Sequence, residues 1–187
     1  MTEQRSINLS RPRARLTGIV YLLYFLTAIP AQILTSHQFA AYGNGTNLIA
    51  TGFYCFLTLL FYFLFRPVNR IISFIAALFS LMGCILMTLD FTLQTAPTIS
   101  SLLFFGPYCL LIGYLIYRST FLPHILGILM ALAGVGWLVF LLPNLPNFLS
   151  ISIEAIGICA EASLMLWLIV KGVNVEHWKQ QAGVVDE

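Results

Sequence analysis

The chain is built mainly from apolar runs of about 20 residues, each separated from the next by a short polar segment. A run of that length crosses the ~30 Å hydrocarbon layer of a bilayer as one α-helix. Only 9% of the residues are charged, whereas about 25% are charged in an average soluble domain. The runs therefore predict an all-α fold: a polytopic membrane protein organised as a six-helix transmembrane bundle.

Six spans follow from the hydropathy pattern, and they use nearly the whole length of the chain. They cover approximately residues 16–34, 47–65, 71–93, 98–117, 124–142 and 149–171. We expect residues 1–15 to form a largely disordered cytoplasmic arm, followed by the transmembrane domain at 16–171 and a polar cytoplasmic tail at 172–187. Turns are expected at residues 42–45 and 94–97, where Gly, Asn and Pro occur.

The basic residues lie before the first span, between the second and third, between the fourth and fifth, or at the end of the last span and beyond. They are Arg5, Arg11, Arg13, Arg15, Arg66, Arg70, Arg118, Lys171 and Lys179. Because basic loops stay in the cytoplasm, this pattern predicts a multi-pass membrane protein with both termini cytoplasmic. The net charge of +2 is too small to indicate a nucleic-acid partner.

Two carboxylates interrupt the sixth span, and a third lies near the end of the third span. Glu154 and Glu161 are seven residues apart, which places them on one helix face with ~10 Å between them along the axis. Asp90 is the third acid. Glu161 is expected near the bilayer midplane, where acids face a bundle interior and mark a pathway or a packing device. These three residues are the candidate intramembrane polar site.

Glu161 has no Lys, Arg or His deep in any predicted span to pair with. We therefore expect it to be protonated at neutral pH, or to be paired with something that the protein does not supply. The favoured interpretation is a neutral acid that bonds a hydroxyl on another helix, such as Thr17, Thr58 or Ser80. The alternative hypothesis is that Glu161 binds a proton or a cation in a transport path. Glu154 and Asp90 would then be further sites on that path, closer to the outer boundary of the membrane.

The sequence predicts no metal or cofactor site. Cys55, Cys84, Cys109 and Cys159 all fall inside apolar runs without a CxxC pair, so each is interpreted as a small apolar residue at a helix contact. Motifs such as HExxH and GxSxG are absent from the sequence. An intramembrane enzyme acting on a lipid or isoprenoid substrate is therefore an alternative rather than the main hypothesis.

Small residues in the fifth span indicate close packing against a neighbour. Gly127 and Ala131 have small-xxx-small spacing, and Ala133, Gly134 and Gly136 follow. Because small residues let two backbones approach closely in lipid, this helix is expected to be central in the bundle.

Several short sequence segments, which occur in a fixed order, resemble those of a known family. They are Ala14-Arg15-Leu16-Thr17-Gly18, Tyr21, Arg66-Pro67-Val68-Asn69-Arg70, Phe105-Gly106, Gly113-Tyr114-Leu115, Arg118-Ser119, Phe121-Leu122-Pro123, Leu126-Gly127-Ile128-Leu129, Ala133-Gly134, Glu161, Leu166-Trp167-Leu168 and Lys171-Gly172-Val173-Asn174. With them, the chain resembles an uncharacterised bacterial six-helix integral-membrane family, the domain of unknown function DUF4386. The resemblance covers most of the chain.

The resemblance implies a six-helix inner-membrane protein with a glutamate at Glu161, and it implies no activity. This chain departs from the family pattern near Tyr54 and Cys55, where relatives often carry an acid, and at Tyr108, where many have histidine. If these positions form a site in relatives, this chain has altered it, which adds weight to a structural or accessory role.

The overall prediction is a non-enzymatic inner-membrane protein with a polar pocket around Glu161. It would serve as an accessory subunit of a membrane complex or as a transporter of a small solute or ion. The protein is expected to contact the lipid bilayer. Because six spans are few for a solitary transporter, it is also expected to associate with a second copy of the chain or with a partner in a membrane complex.

Overall fold

A computed structural model describes residues 2–36, 40–93, 100–142 and 144–183. These residues form seven α-helices and confirm the all-α prediction. The helices are α1 (Thr2–Ser36), α2 (Ala40–Phe65), α3 (Arg70–Leu93), α4 (Leu102–Arg118), α5 (His124–Val139), α6 (Asn147–Val170) and α7 (Val175–Gln181).

Helices α1 to α6 form a closed ring. Each packs against its neighbours in the chain, and α6 closes the ring against α1. At this closure a Cβ added to Gly18 of α1 would lie 2.8 Å from the backbone nitrogen of Ile169, near the end of α6. Tyr21, three residues later in α1, lies beside Glu161, eight residues earlier in α6, so these two helices are antiparallel.

The tightest pairs of helices include α4 with α5. A Cβ added to Gly113 would lie 2.7 Å from the carbonyl oxygen of Gly127, and one added to Gly127 would lie 2.6 Å from that of Gly113. The two backbones touch because neither residue has a side chain. Gly127 and Gly134 thus serve this pairing, whereas Gly136 faces α6. The prediction that α5 is central was wrong, because α5 takes one place in the ring.

Four of the described helices are long and apolar enough to cross a membrane, namely α1, α2, α3 and α6. Helices α4 and α5 are shorter, with 17 and 16 residues, or about 25 Å of length each. Hydrogen-bonded turns extend both at one end, from Leu103 N to Ser100 O (3.1 Å) before α4 and from Leu142 N to Val139 O (3.0 Å) after α5.

The outer surface of the ring is apolar. Large aliphatic and aromatic side chains are more than half exposed there, including Leu26, Ile33, Phe63, Leu78, Leu132 and Ile151. A water-soluble monomer rarely exposes so continuous an apolar surface. The chain is therefore a multi-pass membrane protein whose outer surface contacts the lipid bilayer.

Three segments differ from the sequence prediction. The arm expected to be disordered is helical from Thr2, because α1 continues through it. The turn expected at residues 42–45 lies inside α2, and the tail folds into α7. The turn expected at residues 94–97 lies outside the described residues.

Helix α7 packs against one end of the ring, which we call the basic end because its connections carry Arg66, Arg70 and Arg118. Trp178 donates from Nε1 to the carbonyl oxygen of Leu64 at 3.0 Å. Gln181 donates from Nε2 to the carbonyl oxygen of Arg118 at 3.2 Å. The short helix thus joins the end of α2 to the end of α4.

Candidate functional site

A cavity of about 190 Å³ lies inside the ring, and each of α1 to α6 contributes to its wall. Its lining residues are Tyr24, Ala28, Asn47, Ala50, Thr51, Tyr54, Cys84, Met87, Ser101, Leu102, Phe105, Cys109, Trp137 and Glu161. Ser101 and Leu102 stand at the very start of α4 and Trp137 stands near the end of α5. The cavity therefore extends from the middle of the bundle toward the end opposite the basic end.

Glu161 reaches the cavity from the inner face of α6. Gly157 precedes it by one turn and Leu164 follows it by about one turn, and both are buried, so this face points into the ring. The Glu161 side chain is half-buried and lies beside the Tyr21 side chain of α1, with which it can form a hydrogen bond. An ionised carboxyl only accepts hydrogen bonds, so the Tyr21 hydroxyl is then the donor.

Of the three acids predicted as a polar site, the structure brings only Glu161 to the cavity. Glu154 lies on α6 with an exposed side chain, and Asp90 lies on α3 with a half-buried one. Neither is among the residues that line the cavity.

Two hydroxyls proposed as partners for Glu161 bond to each other instead. The Thr58 and Ser80 side-chain oxygens are 2.6 Å apart, and both residues are buried between α2 and α3. Thr58 also donates to the carbonyl oxygen of Tyr54 at 2.9 Å. This pair joins α2 to α3, which is the packing role that sequence reasoning gave to Glu161.

Tyrosines form most of the surroundings of Glu161, and sequence reasoning did not select them as site residues. The Tyr24 and Tyr54 ring centroids are 4.8 Å apart, and those of Tyr54 and Phe105 are 5.4 Å apart. Tyrosine is enriched near the ends of membrane spans, whereas Tyr21, Tyr24 and Tyr54 lie well inside theirs. Their position inside the spans is the sequence feature by which these tyrosines could have been recognised as site residues.

The two positions where the chain departs from the family pattern meet at this site. Tyr54 lines the cavity, and Tyr108 is buried behind it with 6.1 Å between the ring centroids. Their hydroxyl groups can form a hydrogen bond with each other. An α2 position and an α4 position that looked unrelated in the sequence are therefore neighbours across the ring.

The cysteines divide between the cavity and the rest of the bundle. Cys84 and Cys109 are buried and line the cavity, whereas Cys159 is exposed on α6. Cys55 is half-buried and lies within hydrogen-bonding distance of Cys84. All four are free thiols. In the part of the chain that the structure describes, no group of three His, Cys, Asp or Glu side chains could hold a metal ion.

A column of aromatic rings separates Glu161 from the basic end. Tyr21 contacts Phe61 edge-on with 5.8 Å between centroids. Phe61 stacks on Phe65 at 5.9 Å, and Phe65 stacks on Phe121 at 6.1 Å. Tyr21, Phe61, Phe65 and Phe121 are all buried. These four aromatic side chains, which we call the aromatic column, fill the interior of the helix ring between the cavity and α7.

Comparisons with known proteins identify relatives of this architecture. Residues 98–172, which include α4, α5 and α6, match the family described as "Domain of unknown function (DUF4386)". An "Uncharacterized protein" of Archaeoglobus fulgidus is 30% identical over 117 residues, covering 59% of this chain and 72% of the relative. That relative is archaeal. No solved structure matches the chain.

Proposed function

The chain belongs to the DUF4386 family, and from the geometry of its cavity we propose that it is a transporter of a small solute. The observation that carries the proposal is a cavity at the centre of a closed helix ring, walled by all six of α1 to α6 and containing one carboxyl group. Ligand sites in helical membrane proteins lie in such places, between helices and near the midplane.

The proposal includes six spans with both termini in the cytoplasm. The turns that lengthen α4 and α5 support crossing by these short helices. The orientation follows the basic residues, since basic connections are retained in the cytoplasm. In this orientation the cavity faces the outside of the cell, and the basic end with α7 faces the cytoplasm.

Transport requires the cavity to become accessible from both sides in turn. The cavity extends toward the outer end, while the aromatic column blocks the way to the cytoplasmic end. The described conformation therefore corresponds to an outward-facing state. A second state, in which the rings of the aromatic column separate, would release the solute to the cytoplasm.

Cysteine accessibility tests this cycle without knowledge of the solute. The reporter is Ala28→Cys, because Ala28 is half-buried and lines the cavity. The matched control is Leu26→Cys, two residues away, whose side chain is 60% exposed on the outer surface of the ring. Both are made in a variant without the four native cysteines and treated with a membrane-impermeant methanethiosulfonate reagent.

We expect the reagent to modify Ala28→Cys in right-side-out vesicles and, more slowly, in inside-out vesicles. Leu26→Cys should stay unmodified in both, since a thiol in lipid does not form the reactive thiolate. Modification of Ala28→Cys from one side alone would favour the other role considered, an accessory subunit with a static pocket. Modification from neither side would mean that no aqueous cavity exists.

A further inference from the structure

We infer that the solute of this cavity is a small organic monocation, such as a quaternary or protonated amine, held between the Glu161 carboxyl and the aromatic rings of Tyr24, Tyr54, Phe105 and Trp137. The inference rests on the proposed function, because it names the class of solute for the same cavity. It uses the charge, the surface chemistry and the size of the cavity, each of which restricts the solute separately.

Charge is the first restriction. Glu161 is the single acid among the described residues that line the cavity, and none of them is Lys, Arg or His. An ionised carboxyl away from water requires a positive partner, and the neighbouring Tyr21 hydroxyl supplies a dipole but no charge. A bound monocation would complete the pair, whereas an anion would be repelled and a neutral apolar solute would leave the carboxyl without a counter-charge.

The aromatic lining is the second restriction. Four of the lining side chains are aromatic, and they come from α1, α2, α4 and α5. The Tyr24 and Tyr54 rings are inclined by 60°, and those of Tyr54 and Phe105 by 87°, so the wall is built from rings in several orientations. Aromatic rings attract organic cations by cation–π interactions, and groups of such rings recognise quaternary ammonium ions.

The same wall is poorly suited to an inorganic cation. Hard metal cations need six or more oxygen ligands, whereas here one carboxyl stands among rings, thiols and alkyl groups. Of the remaining polar lining residues, Asn47 and Ser101 lie toward the ends of α2 and α4 that face away from the basic end, and Thr51 lies near the middle of α2. They could bond a polar group at the other end of an amine.

Size is the third restriction. An engineered apolar cavity of about 150 Å³ accepts benzene, which has about six heavy atoms. The 190 Å³ cavity therefore suits a solute of roughly seven or eight heavy atoms. Drug-sized molecules occupy about 300 Å³ or more and would not fit in this conformation.

Two isosteric probes separate charge from shape. Choline and 3,3-dimethyl-1-butanol have the same outline, but the first carries a quaternary nitrogen where the second carries a carbon. Binding of each to the purified full-length protein is measured by calorimetry and by tryptophan fluorescence, because Trp137 lines the cavity. We expect choline to bind about tenfold more tightly or better.

Variants assign the preference to the proposed groups. Glu161→Gln should reduce the preference for choline several-fold, because only the cation–π attraction of the rings then remains, whereas Glu154→Gln, which changes an exposed acid on the same helix, should leave it unchanged. Tyr54→Phe keeps the ring and should retain choline binding, whereas Tyr54→Leu should weaken it several-fold. Size-exclusion profiles and circular dichroism identify any variant that fails to fold, and the comparison of probes on the unmodified protein needs no variant.

The outcomes distinguish this inference from the proposed function. Equal binding of the two probes would overturn the cation inference and leave a cavity that binds solutes. Failure of both probes to bind would also overturn it. The proposed function would then be decided by the accessibility of Ala28→Cys to the thiol reagent.

Discussion

At the scale of single residues, Tyr21 joins two parts of the molecule. Its hydroxyl lies beside Glu161 at the cavity, and its ring makes the first contact of the aromatic column with Phe61. The side chain is 2% exposed, so its two contacts are made inside the ring. A change in the state of Glu161 therefore acts directly on the residue that begins the column.

Tyr21→Phe isolates the hydroxyl contribution because it keeps the ring. We expect this variant to lower the free energy of unfolding by about 0.5–2 kcal/mol, since the Glu161 carboxyl loses its bonded hydroxyl. Unfolding by sodium dodecyl sulfate in mixed micelles measures the change. Tyr114→Phe is the control, because the Tyr114 side chain is 45% exposed on the outside of the ring. Equal stability of the two variants would contradict a hydrogen bond between Tyr21 and Glu161.

Gly157 determines the position of the Trp137 indole. A Cβ added at Gly157 would lie 2.6 Å from Trp137 Cζ2, so the ring would have to move. We expect Gly157→Ala to destabilise the protein by about 1–3 kcal/mol and to shift the tryptophan emission maximum. Gly52→Ala is the matched control, because a Cβ there meets no atom within 4 Å. An unchanged emission spectrum of Gly157→Ala would show that the indole has not moved.

At the scale of helices, α7 depends on one capping residue. The Asn174 side-chain oxygen accepts hydrogen bonds from the backbone nitrogens of Glu176 at 3.1 Å and His177 at 3.3 Å. A helix of seven residues is too short to be stable alone in water. Its cap and its bonds to the basic end therefore decide whether it forms.

Asn174→Ala should loosen α7 without affecting the ring. Loss of the cap costs about 1 kcal/mol, so the amide protons of α7 should exchange several-fold faster, while those of α6 should be unchanged. Hydrogen exchange followed by mass spectrometry measures both. Asn174→Asp retains the acceptor oxygen and should restore slow exchange. If the alanine variant exchanged no faster, packing of Trp178 against Leu64 would be sufficient to hold α7.

The helices of the ring could be predicted much better than α7 or the N-terminal arm. An apolar run of about 20 successive residues is a local property of the sequence, so hydropathy located each of the helices α1 to α6. Helix α7 depends on a bond between Trp178 and Leu64, which are 114 residues apart in the sequence. No local pattern in the tail contains that information. The residues of the arm are polar, and their helix is a continuation of the span that follows.

At the scale of the whole molecule, the order of helices around the ring is what assembles the cavity. Glu161 could be predicted because an acid in an apolar run is unusual wherever the run is placed. Its surroundings could not, because Tyr21 and Tyr24 on α1 reach Glu161 only through the contact between the first and the sixth helix. Hydropathy gives the number of spans but not which spans are neighbours.

The orientation of the bundle is a further prediction at this scale. Leu145→Cys places a thiol in the connection between α5 and α6, and Pro67→Cys places one in the connection between α2 and α3. In intact cells an impermeant thiol reagent should modify only the first, because basic connections are expected to remain in the cytoplasm. Each variant is tested without the native cysteines, and permeabilised cells supply the control. Modification of Pro67→Cys alone would reverse the orientation.

Closure of the ring by α6 also has a consequence for biosynthesis. The chain is made from α1 onward, so five helices can enter the bilayer while the helix that bears Glu161 is still in the ribosome. Until α6 arrives, the tyrosines of α1 and α2 border an open groove that lipid tails can enter. Insertion of the sixth helix must expel those tails, and it brings the carboxyl group together with the last wall. The cavity is therefore completed in one late step, and a ribosome that stalls before residue 161 leaves a lipid-filled groove without a carboxyl group in its wall.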